Sequence, residues 1–334
     1  MTISRSLSTF IAVGALATAS LTNFAHAQTA SASQAERVSW PSVSCTGTPG
    51  TCDKFTAQGL LFRKPGQKKI VLISHGSQGV DSRMFDYVDA LQKDDTAALV
   101  IDHWTPRGIE NTHNDYAAAA IKGGSEINMV FDSLMASEWL RKDEGFEKVG
   151  SIGESQGAAA AIMLQQKWIH GFVTRNVQRA YSRGSFKVQP LDAVIALYGF
   201  CGIRVADRDA FVGTPFLFVS GAKDDETPAK LCEDFVPWMN DRGGNAKITV
   251  LPGVGHSFDA PYSMTRSSGP HYGKCNIFAD GKTTKDLNSG AEVQGTDVRA
   301  ALAKCVSRGY TTGHSGNRFV GVPTWTAFFQ QNLN

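Results

Sequence analysis

Gly153-Glu154-Ser155-Gln156-Gly157 sets a serine between two glycines at the junction of an apolar run and an alanine-rich stretch. That pattern suits a nucleophile held on a sharp strand-to-helix turn, where residues two positions to either side pass too close to neighbouring backbone for side chains. The amino end of the following helix also favours negative charge developing beside Ser155. A serine hydroxyl needs a general base, and Gly253-Val254-Gly255-His256 supplies one late in the chain. The two glycines let the loop turn and aim the imidazole back toward the serine, to take its proton and later return it to a leaving group.

An acid that orients the imidazole is expected between the two, after a strand. Pro215-Phe-Leu-Phe-Val-Ser-Gly221 reads as that strand, and Asp224 lies just past its end in the order serine, acid, histidine. Asp225 and Glu226 compete for the role, with Asp224 favoured by its position three residues after Gly221. Ser74-His75-Gly76-Ser77-Gln78-Gly79 follows another apolar run. The backbone N–H groups of Ser77 and of Gln156 are the expected donors to an oxyanion. Histidines 103, 113, 170, 271 and 314 lack such placement and read as surface or packing residues.

The elements that must position these groups alternate along the chain. Strands are expected at 69–74, 96–102, 147–152, 191–197, 215–220 and 246–251, and helices at 127–140, 157–168, 230–239 and 322–333. Strand runs that are apolar throughout imply a sheet covered on both faces, so the fold class is α/β with a mainly parallel, doubly wound sheet. Residues 261–290 break the rhythm. They are rich in Gly, Ser, Lys, Thr and Asn and read as a long inserted loop over the carboxyl ends of the strands.

The first 27 residues have the features of a signal peptide. Arg5 precedes an apolar stretch from Phe10 to Leu21, and Ala25-His26-Ala27 fits the small-x-small cleavage rule. Removing residues 1–27 of the 334 leaves a chain of 307, expected to form one domain over 28–334 and to reside in the periplasm or outside the cell. The formal net charge of +2 is dispersed, which gives no electrostatic case for nucleic acid or anionic lipid, and no later segment reads as membrane-inserted. Six cysteines in an exported chain favour disulfides. The expected pairs are Cys45 with Cys52, Cys201 with Cys232, and Cys275 with Cys305. No metal-ligand spacing occurs, and neither a metal nor a cofactor is expected.

Taken together, these motifs resemble the dienelactone hydrolase family of the α/β-hydrolases. The resemblance spans roughly residues 55–260 and rests on Ser74-His75-Gly76, Asp102 with Pro106-Arg107-Gly108, and the Gly-Glu-Ser-Gln-Gly motif. It is completed by Tyr198-Gly-Phe-Cys201, by Gly221 with Asp224, Asp225, Thr227, Pro228 and Cys232, and by Gly255-His256-Ser-Phe-Asp259. The family's triad falls on Ser155, Asp224 and His256. The resemblance implies an α/β-hydrolase fold and a small-molecule ester or lactone as substrate. Two features depart from the family. Its namesakes use cysteine where this chain has Ser155, and residues 261–305 exceed the usual pattern. Arg107 is a candidate for binding a substrate carboxylate, with an ion pair to Asp132 as the competing structural role. The sequence leaves two rival readings open: a peptidase or thioesterase on the same fold, and a binding protein with a retired active site.

Overall fold

The computed structural model describes residues 35–46, 52–113, 115–206, 208, 210–295 and 298–334, so the proposed signal peptide at 1–27 lies outside the described residues. An eight-stranded sheet runs in the order β1-β2-β4-β3-β5-β6-β8-β9. β1 (Glu36–Cys45) and β2 (Cys52–Phe62) form an antiparallel hairpin, and β2 also pairs antiparallel with β4 (Ala97–Asp102). From β4 onward the neighbours are parallel: β3 (Lys69–Ser74), β5 (Lys148–Glu154), β6 (Ala193–Leu197), β8 (Pro215–Gly221) and β9 (Asn245–Leu251). The expected doubly wound, mainly parallel sheet is what the chain forms.

The continuous apolar runs of the central strands are explained by their two covered faces. In β3, Ile70 and Leu72 enter one core while Val71 and Ile73 enter the other; in β4, Leu99 and Ile101 oppose Ala98 and Val100 in the same way. The first core is closed by α3 (Glu126–Lys142), α4 (Gln156–Met163), α5 (Lys167–Tyr181) and α6 (Ala229–Asn240), with Phe131, Phe216, Phe218 and Phe235 at its centre. The second is closed by α1 (Ser82–Lys93) and α8 (Val322–Asn332), through Met84, Val88, Trp325 and Phe329. A short α2 (Tyr116–Ile121) precedes α3.

Three elements differ from the sequence reading. The helix expected over 157–168 ends at Met163 and restarts at Lys167. Between them Gln165 and Lys167 pair by backbone hydrogen bonds with Val212 and Ala210, and these remote bonds outweigh the local helical tendency. Residues before 69, where no strand is expected from the sequence, hold β1 and β2, which supply each other's hydrogen bonds. The stretch at 261–290, read as a loop, is built of short strands. β10 (Thr265–His271) pairs with β14 (Ser307–Thr312), and β11 (Ile277–Ala279), β12 (Thr283–Asp286) and β13 (Glu292–Gln294) form a sheet with β7 (Ile203–Val205). Sequences such as Thr265-Arg-Ser-Ser-Gly-Pro-His271 carry no apolar alternation, so only the distant pairing reveals them.

Disulfides join Cys45 to Cys52, Cys201 to Cys232, and Cys275 to Cys305. The first closes the β1–β2 hairpin at its last paired residues. The second ties the segment after β6 to α6, and the third ties the chain just before β11 to the end of α7 (Val298–Cys305). The third spans 30 residues of the insertion, whose own apolar core is small. Chain-entropy reasoning therefore predicts that the double substitution Cys275→Ser, Cys305→Ser lowers stability by about 2–4 kcal/mol. The expected readout is a lower urea midpoint with the insertion becoming protease-sensitive before the main sheet; an unchanged midpoint would refute it.

Candidate active site

Ser155 sits between the end of β5 and the start of α4 with φ 50° and ψ −110°, a left-handed conformation that a non-glycine residue adopts at a cost of about 1–3 kcal/mol. Its surroundings impose that turn. A Cβ on Gly157 would stand 2.3 Å from the Ser74 carbonyl oxygen, and one on Gly153 would stand 2.2 Å from that of Gly157. Glycine at both positions lets the helix approach β3 and β5 so closely, and Ser155 stands at the carboxyl end of β5 in the middle of the sheet.

His256 follows β9 on a loop clasped by β14 and the turn after it. Its N–H donates to the Thr311 carbonyl at 2.9 Å, and its own carbonyl accepts from the Thr312 hydroxyl at 2.9 Å and the Gly313 N–H at 2.6 Å. The ring is thereby fixed with Nε2 3.1 Å from Ser155 Oγ and Nδ1 2.9 Å from Asp224 Oδ2. Asp224, after β8, is held in turn by the N–H groups of Glu226 and Thr227 and by the Thr227 hydroxyl at 2.7 Å. The structure brings together the serine, histidine and aspartate singled out in the sequence, and it separates the competing acids. Asp225 points to Arg266 and the Thr311 N–H. Glu226 lies on the other side of the imidazole, with Oε2 3.3 Å from Nε2.

These groups open into a cavity of about 520 Å³ lined by Gly76, Ser77, Ser155, Glu226 and His256, with Tyr262, Ser267, Tyr310 and Thr312 forming a wall contributed by β10, its approach and β14. Gln156 is the first residue of α4, directly after Ser155, and Ser77 is on the facing loop. That loop is fixed at both ends, since the Gly76 N–H donates to Glu154 Oε1 at 2.8 Å and the Ser77 carbonyl accepts from the Thr112 N–H at 2.8 Å.

Beneath the serine lies a buried polar network that sequence reasoning did not find. Arg83 pairs with Glu154 at 2.5 Å and with Asp81 at 2.6 Å; the single Tyr198 hydroxyl lies within hydrogen-bond reach of both Glu154 and Asp259, and Tyr87 donates to Asp259. Burial pushes the Glu154 carboxyl up to about 7, against the opposing pull of Arg83. Burial alone would depress the His256 pKa, but the carboxylates of Glu226 and Asp224 outweigh it and raise the value to about 9. Glu226 is itself raised, first by burial. His75, next to the facing loop, is lowered to about 4 by burial and by His103, and its Nε2 accepts the His103 N–H at 3.1 Å. The signal for Glu154 was present in the serine motif itself, while nothing local marked Arg83 or Tyr198.

Of the two roles open to Arg107, the structure shows the ion pair with Asp132. Arg107 lies away from the cavity, its guanidinium donating to Asp132 at 2.7 and 3.1 Å and to the His103 carbonyl, and stacking 4.0 Å over the Phe55 ring. With its donors turned to Asp132, the His103 carbonyl and Ser44 inside the protein, it takes no part in lining the cavity.

A strand-ordered parallel sheet with a serine on a strained turn and a histidine returning over it is the α/β-hydrolase fold. A model of the dienelactone hydrolase family matches residues 180–280, which include Asp224 and His256. The resemblance read from the sequence is thus met by an independent family match, and it supports a hydrolase acting on esters or lactones. Among solved structures, a protein described as m3DLH is 14% identical with a TM-score of 0.53, covering 90% of this chain and 100% of that one. Dienelactone hydrolase from Anabaena variabilis ATCC 29413 is 19% identical with a TM-score of 0.44, over 68% of this chain and 91% of that one. Est1E from Butyrivibrio proteoclasticus is 15% identical with a TM-score of 0.42, over 65% and 90%. No curated protein matches the chain.

The Arg107–Asp132 pair is buried on both sides, so removing one partner strands a charge in the core. Arg107→Ala is expected to cost about 3–5 kcal/mol in urea unfolding at pH 7. A loss confined to substrate affinity, with stability intact, would restore the binding role.

Proposed function

We propose that this chain is an exported serine hydrolase that cleaves a carboxylic ester or lactone through an acyl-enzyme on Ser155. The observation that carries the reading is the continuous chain from Ser155 Oγ through His256 to Asp224, at 3.1 and 2.9 Å, with the serine on its strained turn inside an accessible cavity. Neutral His256 takes the Ser155 proton as Oγ attacks the carbonyl carbon, and returns it to the leaving oxygen when the acyl–oxygen bond breaks. Water then repeats the sequence in the second half, releasing the acid and restoring the serine. Asp224 holds the Nδ1–H tautomer and stabilises the imidazolium. The N–H groups of Ser77 and Gln156 receive the developing oxyanion, with the amino end of α4 behind them.

Export is supported by the signal-like residues 1–27 and by three disulfides, which persist in oxidising compartments. No helix among the described residues is long and apolar enough to cross a membrane. In the mature enzyme Ser155, His256 and Asp224 then act on a small molecule, with no cofactor required by the chemistry.

A fluorophosphonate probe is expected to label Ser155, read by peptide mass spectrometry, and Ser155→Ala is expected to lose at least about 10⁴-fold in kcat on any accepted ester. A folded protein unlabelled at Ser155 would sink the assignment. The pH profile follows from His256, which must be neutral to act as base. With its pKa raised to about 9, kcat/KM for an uncharged ester is expected to climb through neutral pH and level off only above that value. A plateau already reached at pH 7 would contradict the electrostatic picture of the free enzyme.

A further inference from the structure

Glu226 has no part in the reaction as derived, yet it occupies the place next to the atom that delivers the proton. Its Oε2 is 3.3 Å from His256 Nε2 and has no hydrogen-bond partner among the described residues. The side chain is largely buried, lines the cavity, and is faced by the Tyr310 hydroxyl. A leaving oxygen must come within about 3 Å of Nε2 to take its proton. Groups attached to that oxygen are therefore laid alongside the Glu226 carboxylate.

The remaining lining gives the carboxylate a definite preference. Arg83 is a cation of the cavity wall, but its guanidinium is consumed by Asp81 and Glu154. Glu226 has no arginine or lysine partner of that kind; its counter-ion is the His256 imidazolium, and its other neighbours are Asp224, Asp225 and Tyr310. Tyr262 and Tyr310 stand on the β10–β14 side of the same cavity, and aromatic faces beside a carboxylate attract ammonium groups. An anionic leaving group would meet repulsion there from Glu226.

Resting on the ester-hydrolase reading above, we propose that Glu226 is the specificity residue of this cavity, receiving a cationic group, a protonated or quaternary amine, carried on the alcohol side of the ester. The reaction balances as ordinary hydrolysis. The acyl–oxygen bond breaks, Ser155 Oγ takes the acyl group, the amino alcohol leaves with the proton from His256, and water releases the acid. A bound cation has a second effect, because it becomes the counter-ion of Glu226 in place of the imidazolium. His256 otherwise faces Asp224 on Nδ1, Ser155 and Glu226 on Nε2, Glu154 behind it, and the rings of Tyr198 and Tyr310 on its faces. Relieved of Glu226, the ring gives up its proton more readily and is ready as a base when the right substrate is present.

The test compares two esters with the same acyl group, one with a 2-(trimethylammonio)ethyl alcohol and one with its uncharged 3,3-dimethylbutyl isostere. The wild-type enzyme is expected to favour the cationic ester by about tenfold or more in kcat/KM, the worth of one partly desolvated cation–carboxylate and cation–π contact. Glu226→Gln should bring that ratio close to one and move the acid limb of the neutral ester's pH profile downward, while Glu226→Asp should keep part of the preference. A purely structural role would lower both esters together and leave the ratio unchanged, which would overturn the proposal. Should Glu226→Gln not fold, the wild type still decides. A ratio near one, or no competition by tetramethylammonium chloride beyond that of matched sodium chloride, overturns the assignment of a cation. Failure to turn over either ester, together with absence of probe on Ser155, would instead remove the hydrolase reading on which the proposal stands.

Discussion

The structure depends on one hydrogen-bond chain that must be assembled from separate strands. Ser155 rises from the end of β5, Asp224 from the end of β8 and His256 from the end of β9, and β6 lies between the first and the others. Neighbouring strands are about 4.8 Å apart, so β9 stands about three spacings from β5. A histidine there reaches the serine only if its loop folds back across the sheet. That fold-back is held by backbone and hydroxyl bonds from Thr311, Thr312 and Gly313, which belong to β14 and the turn after it. β14 and the turn after it are therefore part of the support of the His256 loop.

Electrostatics under the serine follow from the same crowding. Glu154, Asp259, Asp81 and Arg83 are packed around the Tyr198 and Tyr87 hydroxyls. Leaving any one of these groups without its partner in so dry a place would cost more than the bond itself contributes. The network consequently behaves as a rigid unit. It joins the serine turn through Glu154, the histidine loop through Asp259, and the facing loop through the bond from Gly76 N–H to Glu154. Three loops from different parts of the chain are thus set in fixed relation, which is the preorganisation that an oxyanion site needs. Tyr198, itself at φ 41°, sits at the junction with its ring 4.8 Å from that of His256.

What was legible in the sequence divides along the range of the interactions involved. The central strands were visible because burial on two faces writes a continuous apolar run, and the serine turn because close backbone approach demands glycine at 153 and 157. The order serine, acid, histidine placed Ser155, Asp224 and His256 within reach of one another in the structure. For Arg107 the sequence offers two roles, a substrate carboxylate or an ion pair to Asp132, and only the fold, which brings Asp132 and the Phe55 ring against the guanidinium, decides between them. Strands β10 to β13 were hidden for a related reason. They are short and, apart from β11, mostly polar, and what orders them is pairing with β14 and β7 together with buried groups such as Asp286, whose carboxylate accepts from the Asn276 and Ser289 N–H groups.

The division also explains how the fold separates what is fixed from what is free to vary. The floor of the cavity is built by β5, α4 and the loops after β3, β8 and β9, and its side chains are bound to one another so densely that each constrains several more. The opposite wall comes from β10 and β14, where Tyr262, Ser267, Tyr310 and Thr312 face the cavity from a two-stranded ribbon and its approach. Of these, Thr312 is tied to the histidine loop, and Tyr310 packs with its ring 6.0 Å from that of His256. Substitutions on the rest of that wall alter which molecule fits without moving the serine, whereas a change at Thr312 reaches the base directly. Glu226 stands at the boundary between the two regimes, anchored on the floor yet turned toward whatever the wall admits. Its carboxylate both meets the imidazole at 3.3 Å and lines the cavity, so under the proposed reading binding and proton transfer meet at that one group.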